Sequence, residues 1–416
     1  MDGGFADFGF APDDDEVLTV RFDSASGVAA AARDVPSVEF ARALRRLGAA
    51  ARIVALIALV GVATLVATTS ASRAQVCGYC PPSPPPQVAS TSSATGSSAD
   101  YALFGLGSSY LQHLGNMGGP SSYHSLFGTG PNPGGGGAPA PTDDPRYRAW
   151  TELYGVAAQT GAQNFFPGDT RRTYGGTAGI AMNVTPDAML GLSVDQSRTG
   201  IDIVGLPQHA NLDLTQVGVN GSYQMGSWTL SGAGVVGFAG IDSNRDTPSG
   251  PATASYRANL WGVIGEADYL IALGSARVVP KFGADWTQTH ADAYAEMGGI
   301  DAVSVPAADA DRGRIFAGLE VGNTWVTSTT VFDLSGYAKA MDILTQRVPA
   351  LTVTAVSGPA TPVTVFGVSE SKYGVDAGAA ASLRLSPLAR LYLSYDGKFR
   401  DGFTSHGGTL GLELRW

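Results

Sequence analysis

The sequence predicts an all-β protein: a transmembrane antiparallel β-barrel of about twelve strands, preceded by a signal peptide and a low-complexity linker. The last stretch, Leu410–Trp416, alternates an apolar face with a charged face, which is the period of a strand with one face in an apolar medium. The same alternation recurs from Arg148 to Trp416 without a helical run between strands. The connections between the strands also alternate in length, long then short. Outer-membrane barrels combine these three features.

Composition excludes several classes of protein. The formal net charge is −10, whereas nucleic-acid binders carry a basic surface. Only 15% of the residues are charged, and 55 are glycine. The mean hydropathy of +0.06 does not indicate a bundle of membrane helices. In a membrane barrel half of each strand is polar, so the average hides the lipid-facing residues.

The N-terminal part divides into two predicted segments. Residues 1–40 form an extension without clear periodicity. Residues 41–74 have the three parts of a secretory signal: basic residues up to Arg52, the apolar block Ile53–Ala67, and small residues ending at Ala74. The apolar block is short for a membrane helix, which needs about 20 residues. We expect cleavage after Ala74; an uncleaved anchor is the alternative.

Residues 75–147 are predicted to be a Pro/Gly/Ser-rich linker or a minimal passenger. This composition buries too little apolar surface to offset the entropy of ordering the chain. Cys77 and Cys80 have the spacing of a redox motif, but without a βαβ context a local disulfide is the preferred interpretation. Tyr101–Leu114 is a possible short helix, although Gly105 and Gly107 weaken that prediction.

The barrel itself, residues 148–416, contains twelve strand candidates. They are Trp150–Ala157, Tyr174–Val184, Met189–Thr199, Asn211–Tyr223, Trp228–Ala239, Tyr256–Leu270, Ala276–Thr289, Arg314–Trp325, Val331–Met341, Lys372–Leu385, Ala389–Phe399 and Thr404–Trp416. The long connections are Ala158–Thr173, Gly200–Ala210, Gly240–Ser255, His290–Gly313 and Asp342–Ser371. In outer-membrane barrels the short turns face the periplasm.

Alternation within the strands separates a lipid face from a lumen face. In Arg314–Trp325, for example, Ile315 and Leu319 oppose Arg314 and Glu320. Six tryptophans near strand ends are predicted to form interfacial girdles, with core packing as the alternative. They are Trp150, Trp228, Trp261, Trp286, Trp325 and Trp416. Pro280 cannot donate a ladder hydrogen bond and is tolerable only near a strand start.

The C-terminal part resembles a known family, the β-barrel (translocator) domain of autotransporters. The resemblance rests on Tyr395–Phe399, Asp401-Gly402, His406 and the terminal strand Leu410–Trp416. Weaker similarities are Pro280–Ala284 with Tyr294 and Glu296, and Trp150 with the pair Gly175-Gly176. The resemblance implies a twelve-stranded barrel that exports a segment N-terminal to itself. It also implies insertion by the barrel-assembly machinery, which recognises the last strand.

The sequence departs from that family before the first strand. No repeats typical of a large passenger lie between Gln75 and Tyr147. Where relatives place a pore helix, this chain has Gly134–Gly137 and prolines, which predict a poor helix. The expected occupant of the lumen is therefore Thr142–Arg148, with Asp143 and Asp144 near bases such as Lys281 or Arg384.

No catalytic, cofactor or metal site is predicted. The five histidines are scattered without ligand spacing, and no serine lies in Gly-x-Ser-x-Gly. His406 is expected to make a structural hydrogen bond, and a Ser/His pair assembled across strands stays open. Candidate lumen residues that would set the electrostatics of a conduit are Glu266, Lys281, Asp285, Glu320, Lys339 and Arg384. A solvated wall of charge pairs is the alternative.

The predicted function is that of an outer-membrane translocator in a Gram-negative cell, acting without covalent chemistry. Its candidate assembly signal is the apolar face of the last strand, Leu410, Leu412, Leu414 and Trp416. The expected partners are outer-membrane lipid and the assembly machinery, and nucleic acid is excluded. The alternatives are a passive porin-like channel and a surface adhesin whose long loops bind an extracellular ligand.

Overall fold

The structure, a computed structural model, describes residues 94–117, 146–163, 166–299, 301–327, 330–347, 350–356, 363–366, 368–386 and 388–416. The predictions for residues 1–40, for the signal peptide and for Cys77 and Cys80 lie outside these residues. No described helix is both long enough and apolar enough to span a membrane.

The described fold consists of one helix, a closed antiparallel barrel and a small second sheet. The helix α1 is Ala94–Asn116. The barrel strands are β1 Tyr147–Thr160, β2 Asp169–Thr185, β3 Ala188–Ile203, β4 Gln208–Met225, β5 Trp228–Thr247, β6 Gly250–Tyr269, β7 Ala276–Ala291, β8 Ala308–Val326, β9 Val331–Arg347, β10 Tyr373–Ser386, β11 Ala389–Arg400 and β12 Phe403–Arg415. Each strand pairs with its neighbours in sequence, and β12 pairs with β1 to close the barrel. The prediction of a barrel of about twelve strands is confirmed.

Period-2 alternation places charge inside and apolar side chains outside. In β12, Glu413 and Arg415 are buried, whereas Leu410, Leu414 and the residue after the strand, Trp416, are 46–58% exposed. In β8, Arg314 and Glu320 are buried, whereas Ile315 and Leu319 face outward. A one-residue slip would exchange the two faces, so this pattern also fixes the register.

The strands extend beyond their predicted ends at the long-loop rim. The segment Gly240–Ser255, predicted to be a loop, belongs almost entirely to β5 and β6, which continue to a turn at Pro248 and Ser249. Gly250 follows that turn with φ +116°, a conformation that favours glycine. Alternation continues to the tip, because Ser243 and Arg245 are buried while their neighbours are exposed.

A second, four-stranded sheet lies in the two longest connections. It pairs Tyr294–Ala295 and Val303–Val305, between β7 and β8, with Ala350–Ala355 and Val363–Phe366, between β9 and β10. Val303, Val305 and Val353 form its small apolar core. A bridge between Met297 and Thr253 attaches the sheet to β6.

Directly paired glycines and aromatic residues explain part of the glycine content. A Cβ placed on the glycine would lie 2.2–2.6 Å from the aromatic ring that covers it. The pairs are Trp150 with Gly179, Tyr154 with Gly175, Phe316 with Gly283, Tyr337 with Gly378 and Tyr392 with Gly411. The prediction that Trp150 belongs to a girdle is therefore wrong: its ring lies against Gly179 and is only 3% exposed.

The other tryptophans face outward. Three of them pair with aromatic residues at the short-turn rim: Trp228 with Tyr269 at 4.9 Å, Trp325 with Phe332 at 5.5 Å and Trp416 with Tyr147 at 6.2 Å between ring centroids. Trp261 is exposed and Trp286 half-buried. Aromatic residues at the two interfaces are typical of barrels in membranes.

Pro280 lies where β7 changes its partner. Below it, Ala276–Val278 pair with the short strand Ile271–Leu273, and above it Lys281 pairs with Asp268 of β6. The missing amide therefore falls in a gap of this ladder.

Candidate functional site

Helix α1 lies in the barrel lumen, against one side of the wall. Its apolar residues Leu103, Leu111 and Leu114 are 0–1% exposed and belong to the same cluster as residues of β4 and β6 such as Leu212 and Leu260. Glycines in the wall make room for this face. A Cβ on Gly218 would lie 2.3 Å from Leu114, and one on Gly262 would lie 2.7 Å from Leu111. These close contacts define the depth and the rotation of the helix.

The direction of α1 follows from its two ends. Near the N-terminal end, the Ser98 hydroxyl donates a hydrogen bond to Asp169, at the long-loop end of β2. At the other end, Met117 packs with Trp150 and Met189, close to the short turns. At 1.5 Å per residue, 23 residues span about 35 Å, comparable to a bilayer core of about 30 Å. The helix therefore passes through the lumen with its N-terminus at the long-loop rim.

Basic side chains hold α1 in the half of the barrel nearer the long loops. Arg312 donates to the Phe104 carbonyl at 3.3 Å, and its guanidinium carbon lies 5.3 Å from the Phe104 ring centroid. Arg314 donates to the Ser108 hydroxyl. Lys398 donates to the Ser109 hydroxyl at 2.5 Å.

Neutral and acidic groups hold the other half. The hydroxyl groups of Tyr110 and Ser193 are 2.6 Å apart. His113 Nε2 lies 2.9 Å from Glu152 Oε2. Asn220 donates to the Leu114 carbonyl near the C-terminal end of the helix at 3.4 Å. Side chains from several different strands thus bind polar groups along one helix.

Four of the six predicted lumen residues form one buried cluster. Lys281 Nζ lies 3.1 Å from Glu266 and 3.6 Å from Glu320, and Lys339 Nζ lies 2.9 Å from Glu266. Asp268, which the sequence interpretation did not select, lies 3.4 Å from Lys281. The cluster joins β6, β7, β8 and β9, so it is both lumen lining and a cross-link between strands.

The remaining two predicted residues lie apart from that cluster. Asp285 pairs with Arg314 at 2.8 Å, and through Arg314 it reaches the helix. Arg384 is half-buried near the β10–β11 turn, where its carbonyl accepts a hydrogen bond from Thr330. Arg384 therefore belongs to the short-turn rim.

The prediction that Thr142–Arg148 occupies the lumen is wrong where the structure describes that segment. Tyr147 and Arg148 are the first residues of β1, and Thr142–Pro145 lie outside the described residues. The occupant is α1, which extends the predicted island Tyr101–Leu114 at both ends. Its interior tolerates Gly107 because the side chain of Leu260 takes that space, 3.1 Å from where a Cβ on Gly107 would lie.

A cavity of about 160 Å³ separates the polar face of α1 from the opposite wall. The helix contributes Ser109, Gln112, His113 and Asn116, and the wall contributes residues such as Tyr337, Lys398 and Thr409. At about 10–15 Å³ for each water molecule, this space holds roughly ten.

The described residues contain no group of three or more potential ligands that could hold a metal ion.

Sequence reasoning missed Arg312, Arg400 and Glu370. Each arginine lies an even number of residues from other lumen-facing residues of its strand, β8 or β11. This period-2 position was the available signal that it faces the lumen. Glu370 lies in an irregular segment, where period-2 alternation gives no signal. His406 makes the expected hydrogen bond, 2.8 Å from the Tyr395 hydroxyl, on the outer surface.

Comparison with solved structures agrees with this architecture. The translocator domain of the autotransporter NalP from Neisseria meningitidis superposes with a TM-score of 0.59 at 14% identity, covering 78% of this chain and all of that one. The β-domain of the Bordetella autotransporter BrkA gives 0.51 at 15% identity, covering 65% of this chain and all of that one. At this identity the likeness concerns the fold. The closed twelve-stranded barrel of this chain therefore has the fold of these two translocator domains.

A family comparison gives the membership directly. The family model of the autotransporter β-domain matches residues 149–396, more than half of the chain. The chain therefore belongs to the autotransporter β-domain family. An extracellular serine protease of Serratia marcescens is 23% identical over 279 residues, which are 64% of this chain and 26% of that protein. The chain thus spans about a quarter of the length of this curated relative.

Proposed function

We propose that this protein is an outer-membrane conduit and anchor for its own N-terminal segment, with α1 as the part that stays in the lumen. One observation carries the proposal: α1 enters at the long-loop rim and ends at the short-turn rim, beside the start of β1. A chain that precedes such a helix leads toward the outer side of the membrane. After passage, the polar contacts between α1 and the barrel wall would hold α1 in the lumen.

Export and assembly belong to the same proposal. Residues 41–74 would direct the chain across the inner membrane, and residues 75–146 would form the linker or minimal passenger, including α1, ahead of the barrel, which begins at Tyr147. The outward face of β12, with Leu410, Leu412, Leu414 and Trp416, would be recognised by the barrel-assembly machinery. We propose no covalent chemistry for the barrel. Protease activity is part of the name of the Serratia protein and is not carried over to this chain.

Conductance in planar bilayers tests the conduit. Deletion of residues 75–147 would remove Tyr147 from β1, so the informative deletion is 75–117. The deleted protein should remain a folded barrel, as judged by heat-modifiable gel mobility, and should conduct more than the full-length protein. An eight-stranded barrel is filled by side chains and a sixteen-stranded one leaves a channel, so twelve strands should leave a measurable pore. Equal conductance of the two proteins would overturn the proposal.

The cavity beside α1 favours a second candidate, a passive channel. Its lining includes both carboxylates and amines, and it has room for water along the helix. A passive channel would conduct small ions through the full-length protein. In that case deletion of residues 75–117 would change the conductance little, which separates the two functions.

A further inference from the structure

Three consecutive residues, Val368–Glu370, lie across the lumen at the long-loop rim; we call them the strap. They precede β10 and contact three different parts of the barrel. Val368 is 3% exposed and belongs to the main apolar cluster. The Ser369 hydroxyl donates to the Gln163 side-chain carbonyl, in the β1–β2 connection, at 3.2 Å. Glu370 points to the barrel wall.

The Glu370 carboxylate joins two strands that are not neighbours. It pairs with Arg312 of β8, and its Oε2 lies 3.4 Å from Arg400 Nε of β11. The side chain of Glu370 is 4% exposed, and those of Arg312 and Arg400 are 2% exposed. Arg400 is further paired with Asp376 at 3.0 Å. These arginines hold the pKa of Glu370 below its usual range, although burial alone would raise that pKa.

The strap rests on the helix. The Glu370 carboxylate interacts with the Tyr101 hydroxyl of α1, and Val368 belongs to the large apolar cluster that also includes Ala99, Tyr101 and Leu103 of α1. Arg312 itself donates to the Phe104 carbonyl. Without α1, Val368 would lose this apolar surface, and the ion pairs of Glu370 would face water, where such pairs contribute little. A buried pair, in contrast, is costly to break.

We propose that the strap is a latch that closes the outer end of the lumen once α1 is seated, with Glu370 as its charged contact. A chain passing outward would have to cross the same opening, so the latch is open during passage. Closure separates the cavity beside α1 from the outside. This proposal rests on the proposed function as a conduit, and it adds the element that seals the conduit afterwards.

The first test is the conductance of full-length Glu370→Gln in planar bilayers. Loss of the charge should release the strap and raise the conductance toward that of the protein lacking residues 75–117. Asp401→Asn, an exposed carboxylate in the turn between β11 and β12, is the matched control and should leave conductance unchanged. If helix deletion raises conductance but Glu370→Gln does not, the latch is wrong and the conduit stands. If neither raises it, the conduit itself is wrong.

The second test follows the strap directly. Val368→Cys, combined with Cys77→Ser and Cys80→Ser, places one thiol on the buried side of the strap. In intact cells a membrane-impermeant maleimide should label it slowly, because Val368 is 3% exposed. Adding Glu370→Gln, or deleting residues 75–117, should each accelerate labelling. Equal rates in all three proteins would overturn the latch, whatever the conductance shows.

Discussion

The ring of Tyr392 lies directly over Gly411, and this contact illustrates how single residues shape the wall. A Cβ on Gly411 would lie 2.2 Å from the ring, and the Tyr392 hydroxyl donates to Glu152. Gly411→Ala should displace the ring and destabilise the barrel by about 1–3 kcal/mol, the usual cost of overpacking. Urea unfolding from detergent micelles or liposomes would measure it.

Gly408→Ala is the control for that substitution on the same strand. A Cβ there would have its nearest neighbour, the Ser394 carbonyl oxygen, 4.0 Å away. Its unfolding free energy should stay close to that of the unchanged protein. If Gly408→Ala lowered the unfolding free energy as much as Gly411→Ala does, the effect would come from the backbone conformation of strand glycines. The contact of Gly411 with the Tyr392 ring would then not be its cause.

Leu319 offers a separate test of the outward face. It is 46% exposed in the middle of the apolar side of β8. Leu319→Arg should cost about 2–4 kcal/mol if the residue lies near the bilayer midplane. Neighbouring Gly318 faces the lumen but is a poor control, because its Cβ would lie 2.5 Å from the Ala338 carbonyl oxygen.

Thr409→Arg is a better partner for Leu319→Arg, since Thr409 lines the cavity. The arginine would there meet water and carboxylates in place of lipid, so the loss of unfolding free energy in liposomes should be smaller. A larger loss for Thr409→Arg would mean that the two faces of the wall are reversed.

At the scale of elements, the strands could be predicted from the sequence because alternation is a local signal. All twelve barrel strands lie where the alternation placed them, and β5 and β6 run further than expected. The second sheet was not predictable, because its strands of two to six residues pair across two separate connections. Trp150 was misplaced since position along a strand does not reveal that Gly179 lies opposite.

The helix was only partly predictable. Gly105 and Gly107 lower helix propensity, and tertiary packing in the lumen overrides that preference. The wall glycines that receive Leu111 and Leu114 lie more than a hundred residues further along the chain, so no local pattern reveals them. Period-2 alternation did identify the charged residues that face the lumen. It could not identify their partners, because these depend on which strands face one another.

The last strand is the element with the most specific predicted role. Trp416 stacks on Tyr147, and the two residues exchange main-chain hydrogen bonds of 2.9 and 3.0 Å. Trp416→Ser should lower the amount of folded protein in the outer membrane, because it removes the terminal aromatic of the proposed assembly signal. Quantitative blotting of membrane fractions, with heat-modifiable mobility, would measure this.

Trp228→Ser supplies the comparison for Trp416→Ser at the same rim. Trp228 is 41% exposed and packs on Tyr269, so it has a similar environment away from the chain terminus. Membrane levels should then fall much less. Equal losses for the two variants would assign the effect to the aromatic rim and leave no special role for the terminus.

At the scale of the whole molecule, the two halves of the lumen wall bind α1 through different groups, and this difference fixes the direction of the helix. The long-loop half of the lumen holds α1 through Arg312, Arg314 and Lys398, and the other half holds it through Glu152 and uncharged groups. A reversed helix would lose its hydrogen bonds and its glycine recesses together, and buried polar groups without partners are costly. The contacts therefore fix one direction of the helix, with the chain ahead of α1 at the long-loop rim, which is the outer side in the proposed function.

That orientation predicts which parts of the chain antibodies reach on intact cells. An epitope tag inserted after Ser90, ahead of α1, should be detected without permeabilisation, as should a tag at Gly205 between β3 and β4. A tag in the turn at Pro186 and Asp187 should be detected only after the outer membrane is opened, because this turn lies at the opposite rim. Detection of the Gly205 tag with the Ser90 tag hidden would mean that α1 enters from the periplasmic side. The barrel would then be an anchor or a passive channel, and its lumen would not be an exit path for the N-terminal segment.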